Sequence, residues 1–158
     1  MNASRRFALT LAALSLVGLR SAAQETQAAE ALPEEPLVIT DLVLGIGDEA
    51  LPGMVCLVHY TGWLYDQHAR DHHGRKFDSS HDRGQAFSFP LGGGLVIKGW
   101  DRGVVGMRVG GLRRLVIPPA LAYGDRNIGN GTIPPASTLV FEIELLAVET
   151  VTSAPQAQ

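Results

Sequence analysis

The sequence predicts an α+β fold: five or six antiparallel strands in a β-sheet wrapped around one short α-helix. Two observations predict it. Five separate stretches favour strands by apolar–polar alternation or by β-branched and aromatic content, the signature of a sheet with one dry and one wet face. A single stretch leaves that period for the spacing of a helix. In chain order, "LVITDLVLG" sets Val38, Thr40, Leu42 and Leu44 on one side. "MVCLVHYTGWL" is rich in β-branched and aromatic residues, which suit a pleated surface. "AFSFPLG" alternates Phe87 and Phe89 against Ala86 and Ser88. "VIKGWDRGVVGM" spaces Ile97, Trp100, Val104 and Met107 along one helical face, while Lys98, Asp101 and Arg102 point away. Gly99 and Gly103 are poor helix formers, so packing must hold that helix. "LRRLVIP" sets Leu115 and Ile117 opposite Arg114. "LVFEIELLAV" faces Phe141, Ile143 and Leu145 one way and Glu142 and Glu144 the other. Strands beside one helix make a layer pair around a single core.

The 158 residues suit one such domain, and 46% hydrophobic content suffices to fill its core. The N-terminus reads as a secretory signal peptide over 1–23. Arg5 and Arg6 form a positive head, "FALTLAALSLVGL" an apolar run too short to span a bilayer, and "SAA" a small-residue cleavage site after Ala23. "SRRFAL" also resembles a twin-arginine signal, although only Ala8 and Leu9 follow the arginines, so Sec and Tat export stay open. The chain is thus expected to be exported, to the periplasm first and to the outside medium as the alternative. Removing Arg5, Arg6 and Arg20 leaves 10 basic residues against 16 acidic ones, a net charge of −6. That balance, with no basic block, argues against nucleic acid and, once the signal is removed, against a membrane partner. "QETQAAEALPEE" (24–35) reads as a flexible linker and 151–158 as a disordered tail, which leaves 36–150 as the folded domain. The one cysteine, Cys56, cannot form an internal disulfide and sits in a strand pattern as a small hydrophobe.

Three motifs offer chemistry that their context withdraws. "GIGDEA" loosely fits a dinucleotide fingerprint, but Pro52 and Gly53 follow where a helix is needed. "LGGGLVIKG" lacks the lysine and hydroxyl of a phosphate loop. "SSHD" (79–82) strings a serine, a histidine and an aspartate along a chain read as extended, where neighbours point to alternate faces. "DQHARDHHGRKF" is more open. His68 and His72 share a face if the loop is helical, and with Asp66, Asp71 or His73 could hold a borderline metal. Loops of this composition are otherwise simply solvated, and no metal ligand is assigned.

Four motifs in order, "VHYTGWL", "GRKFDSSHDRGQAFSFPLG", "VIKGWDRGVVGMRVGGLRRLVIPPALAYG" and "IPPASTLVFEIELL", resemble the FKBP-type peptidyl-prolyl isomerases across nearly all of 36–150. The fold this resemblance implies agrees with the one read from periodicity. It implies a pocket made by Tyr60, Phe77, Asp78, Trp100, Tyr123 and Phe141. Arg83, Phe87, Val96, Ile97 and Ile133 are the further substrate-binding residues it implies. Six of the nine aromatic residues outside the signal fall in this set. Two departures stand out. "YDQHARDHH" lengthens a tight turn, expected on the surface beside the pocket wall, and "GDRNIGNGTIPP" gives the overhanging loop its own composition.

The chemistry implied is rotation about an X–Pro bond, which crosses a barrier of roughly 18–20 kcal/mol because it breaks amide resonance. No covalent bond forms or breaks, so no cofactor or metal is expected. The twisted amide is less charge-separated than the planar one, so a dry aromatic pocket favours it. Trp100 would be the floor, and Ile97 N–H and the Tyr123 hydroxyl would hold the peptide. Asp78 would orient Tyr60 and Arg83 without moving a proton. The partners implied are proline-containing polypeptides and macrolides such as tacrolimus, bound by a monomer that assists folding of exported proteins. Two other readings stay open: a binding module or holdase that uses the pocket with little catalysis, and a metal-binding protein resting on the histidines.

Overall fold

Two strands of twelve residues, β2 (Met54–Tyr65) and β6 (Leu139–Thr150), pair along nearly their whole length and organise the sheet. The computed structural model describes residues 36–150. The predicted signal peptide, linker and tail lie outside them. The other strands are β1 (Val38–Val43), β3 (His73–Ser79), β4 (Phe87–Pro90) and β5 (Leu112–Ile117). All pairings are antiparallel, in the order β1-β5-β6-β2-β3, with β4 on the stretch of β2 that β3 leaves free. This six-stranded antiparallel sheet with few short helices is the α+β fold expected. On β6 the alternation holds as read: Phe141, Ile143 and Leu145 are buried, and Glu142 and Glu144 are half-buried on the other face.

The helix expected on the dry face is α2 (Lys98–Gly103), and its glycines have a reason. Gly99 and Gly103 are one turn apart and both face β5. A Cβ on Gly99 would run into Ile117, and one on Gly103 would come within 2.6 Å of Leu115. Each glycine costs about 1 kcal/mol of helix propensity relative to alanine, and close approach of helix to sheet offsets it. The C-terminal end is held by Arg113, buried on β5. Its guanidinium donates to the carbonyls of Gly103 (2.9 Å) and Val105 (3.0 Å) and to both carboxylate oxygens of Asp41 on β1 (2.6 and 3.2 Å). A cation there also complements the helix dipole.

Three details differ from the sequence reading. The helix is shorter: Ile97 is extended (φ −61°, ψ 148°) and Met107 follows the helix, though Met107 stays buried. β1 has no dry face, since all six of its residues are exposed. It pairs only with β5, at the sheet edge, and alternation reports pleating rather than cover. "SHDR" is not extended but one helical turn, α1 (Ser80–Arg83). The Ser80 hydroxyl lies 2.9 Å from His59 Nδ1, yet Ser80 is fully buried and its oxygen also accepts the Tyr60 N–H at 2.8 Å. It ties strand to turn and is closed to substrate.

The histidine-rich loop does not lie along the pocket wall. It folds over the outer face of the sheet. His73 stacks on Trp63 (ring centroids 3.9 Å apart, planes 3° apart) and His72 on Tyr65 (4.8 Å). Trp63 stands in register with Val140, which is fully buried although it belongs to the outer face. Arg114 reaches both Glu142 (2.7 Å) and Asp71 (3.2 Å), drawing the loop onto β5 and β6. The loop's one helical segment, Arg70–His72, is a single 3-10 turn, and His68 is bonded instead to its neighbour Gln67. Among the described residues, no three His, Cys, Asp or Glu side chains are grouped to hold a metal ion.

Candidate functional site

Strand register gathers the site around Gly62. This residue pairs with Asp78 of β3 on one side and Phe141 of β6 on the other. A Cβ there would lie 2.7 Å from the rings of both Phe77 and Phe141, so the position accepts only glycine without moving those rings. Phe77 and Asp78 are consecutive and would ordinarily point to opposite faces. The register breaks between them: Gly62 pairs with Asp78 but Trp63 pairs with Lys76, leaving Phe77 as the extra residue of a bulge. A bulge re-aims its side chain, which lets both neighbours serve one site.

Five rings meet on the inner face. Tyr60 and Trp100 are edge to face at 5.0 Å, Trp100 and Phe141 at 5.3 Å, and Phe77 and Phe141 at 5.5 Å. Phe87 stands 6.0 Å from Tyr60 and 6.1 Å from Trp100, and is 38% exposed, so the set is open on that side. Trp100 is 4% exposed, and its indole N–H is buried without an acceptor among the described residues, a cost that an ordinary core position avoids.

One polar triad stands at the edge of the rings. The Tyr60 hydroxyl donates to Asp78 Oδ2 at 2.6 Å. Arg83, at the end of α1, donates to the same hydroxyl at 2.9 Å and pairs with Asp78 Oδ1. Burial opposes charge on Asp78, but the Tyr60 hydroxyl and the Arg83 guanidinium outweigh it and hold the carboxyl below its usual range. Burial, then the Asp78 carboxylate, pushes the Tyr60 phenol up, so it stays a protonated donor. Bonding to Asp78 and Tyr60 raises Arg83, which remains a cation. The three bonds together fix the orientation of the Tyr60 ring.

Val96, Ile97 and Tyr123 do not touch the five rings in the same way. They line an adjoining open groove of about 600 Å³ just before α2. The Ile97 N–H donates to no acceptor among the described residues, and neither does the Tyr123 hydroxyl. Burial and the field of Asp78 raise the Tyr123 phenol, so it too keeps its proton. Ile133 is 4% exposed, part of the core beneath a short hairpin made with Ile128 by two 3.0 Å backbone bonds. Cys56 is fully buried, with its thiol pushed up to about 11 by burial, so it offers no thiolate.

Sequence reasoning missed three supporting residues. Phe89 lies 5.4 Å from Trp100, beneath it, and shared the alternation of Phe87 that could have marked it. Arg113 lies on the inward phase of its strand, two residues before Leu115, a signal that a buried partner was waiting. Arg75 donates to the carbonyls of Gly131 (3.2 Å) and Thr132 (2.7 Å), fastening the Ile133 hairpin to β3. Nothing local marks that contact, which spans more than fifty residues.

The comparisons agree with this fold. The family described as FKBP-type peptidyl-prolyl cis-trans isomerase matches residues 47–146. An FK506-binding protein of Neisseria meningitidis is 53% identical over 112 residues, covering 71% of this chain and 95% of the relative. The peptidyl-prolyl cis-trans isomerase FPR2 of Saccharomyces cerevisiae is 50% identical over 101 residues, covering 64% of this chain and 70% of the relative. The crystal structure of AtFKBP13 superposes with a TM-score of 0.61 at 43% identity, over 70% of this chain and 91% of that one. That of FkpA from Escherichia coli gives 0.61 at 41% identity, over 73% of this chain and 49% of that one. With a family match over most of its length and a relative above half identity, the chain belongs to the FKBP-type peptidyl-prolyl cis-trans isomerases.

Proposed function

We propose that the inner-face rings form the proline pocket of an exported isomerase that assists the folding of other exported proteins. The observation that supports it most is the set of Tyr60, Phe77, Phe87, Trp100 and Phe141, its ring neighbours 5.0–6.2 Å apart and one side open. A proline ring entering there loses water, and its amide meets apolar walls. The planar amide, with charge on its oxygen, loses more solvation than the twisted one, so the barrier falls. The Ile97 N–H and the Tyr123 hydroxyl, both donors without acceptors among the described residues, hold the chain on either side. Asp78 fixes Tyr60 and faces the rotating amide without moving a proton. Ile133 acts from below, by placing the hairpin.

Export rests on the charge and hydropathy of residues 1–23, with 24–35 as linker, 36–150 as the isomerase domain and 151–158 as tail. A chloroplastic relative, FKBP13 of Arabidopsis thaliana, is 43% identical over 137 residues, in keeping with a compartment outside the cytosol. The periplasm is the compartment proposed. Macrolides such as tacrolimus are proposed as ligands of the same rings, since several relatives carry FK506-binding names. A monomer is proposed from the short linker.

The test is cis-to-trans relaxation of a Leu-Pro peptide by the wild-type chain and by Asp78→Val. Wild type should accelerate relaxation. The variant should lose about tenfold or more in kcat/KM while its melting temperature falls by only about 4–8 °C, the effect of roughly 1 kcal/mol. A variant that melts far earlier than this would make Asp78 a folding residue, and wild type at the uncatalysed rate would leave a binding module.

A further inference from the structure

The groove beside the rings has a charge that the isomerase reading does not use. Ten basic side chains fall among the described residues, and six of them (Arg70, Lys76, Arg83, Arg108, Arg113 and Arg114) face a carboxylate. Arg75 is taken up by carbonyls. Lys98, Arg102 and Arg126 have no carboxylate partner among the described residues, and two of these three, Lys98 and Arg126, line the groove that Val96, Ile97 and Tyr123 also line.

Arg126 is held in place there. Its Nε donates to the Tyr123 carbonyl at 3.1 Å, and its guanidinium carbon stands 5.8 Å from the centroid of the Tyr123 ring. Stacking on a ring with one nitrogen bonded leaves the two terminal nitrogens without a partner among the described residues and little rotamer entropy to lose. Lys98, the first residue of α2, is exposed and lines the same groove. The nearby carboxylate of Asp101 is already committed, accepting the N–H groups of Gly92 (2.9 Å) and Gly94 (2.8 Å). Leu95, 76% exposed, adds apolar surface at the rim.

We infer that this groove is a subsite for an acidic side chain of the polypeptide whose proline occupies the rings, with Lys98 and Arg126 as the residues that select it. The inference rests on the isomerase reading and narrows its substrates to chains with Glu or Asp close to the proline. It also opposes the net charge of the chain, which would disfavour acidic peptides if only the overall field mattered.

The test uses the full chain and peptide pairs differing by Glu against Gln, placed next to the X–Pro pair on either side. The expected result is a kcat/KM ratio, Glu over Gln, of about threefold to tenfold at one of the two positions, as two exposed charge pairs allow. The gain should lie in KM, shrink with added salt, and fall to about one in the Lys98→Gln, Arg126→Gln double variant. A ratio near one at both positions in wild type, or a ratio the double variant keeps, overturns the subsite. Fluorescence anisotropy of the same labelled peptides covers the remaining case. Should no peptide relax faster than uncatalysed, tighter Glu binding keeps the subsite while the isomerase reading falls, and equal binding ends both.

Discussion

Strand β2 serves two surfaces at once, and they are built on opposite principles. Its inner side carries Tyr60 and Gly62, set among rings that leave room for a guest. Its outer side carries His59, Thr61 and Trp63, where every aromatic ring is already stacked on a histidine of the protein itself. Beside the rings, charge is confined to one carboxylate held by a phenol and a guanidinium. Outside, Arg114 pairs with both Glu142 and Asp71, and His73 Nε2 stands 3.3 Å from Glu142. A recognition surface keeps its capacity unspent, and a structural one consumes it internally. By that criterion the histidine-rich loop behaves as a cover for Val140 and Trp63.

The largest effect expected separates the two surfaces by packing. Phe141→Ala removes a ring that touches Tyr60, Phe77 and Trp100 and should cost about 3–5 kcal/mol of stability, read by urea denaturation, with peptide relaxation falling to background. Retention of normal relaxation would mean that the inner rings are core and nothing more. The second sharpens the contrast by pH. The folded pKa of Asp78 lies below its ordinary 3.8, so its contribution is present above that value and is lost as pH falls through the folded pKa. The folded pKa of Tyr60 lies above 10.0, so its contribution is complete below 10.0 and is lost as pH rises through the folded pKa. Melting temperature against pH should therefore show the triad's contribution as a plateau between these limits, and Asp78→Val should flatten the acid limb. An unchanged acid limb in the variant would remove the triad from the stability of the fold. The smallest effect is expected outside. His73→Ala gives up one ring stack, about 1 kcal/mol, and should leave peptide relaxation as in wild type. A relaxation rate that fell with the loop's histidine would break the division between the faces.

How much of this was legible depends on whether the information was local. Alternation located four strands and β-branched and aromatic content a fifth, β2, and on β6 alternation sorted the two faces residue by residue. It did not find β3, because "HGRKFDS" is polar at most positions and is held by pairing with β2. It overran the helix at both ends, since Ile97 and Met107 keep helical spacing while their backbone does not. The resemblance supplied the ring set, which periodicity alone would have assigned to the core. It could not supply the bulge at Phe77, which no residue type announces. It misplaced the long loop, because the destination of His73 is fixed by Trp63 and Glu142, remote partners with no mark in the loop's own sequence.

The bulge at Phe77 has an architectural consequence. Strand β3 leaves the histidine loop and meets β2 through two interruptions in register, one on each side of the Trp63–Lys76 pair, before Asp78 locks onto Gly62. Such interruptions work like expansion joints in a bridge. Residues gained or lost at the loop end are taken up before they reach the carboxylate. A residue added to or taken from the outer hairpin would thus meet two breaks in register before it could shift the Asp78–Gly62 pair.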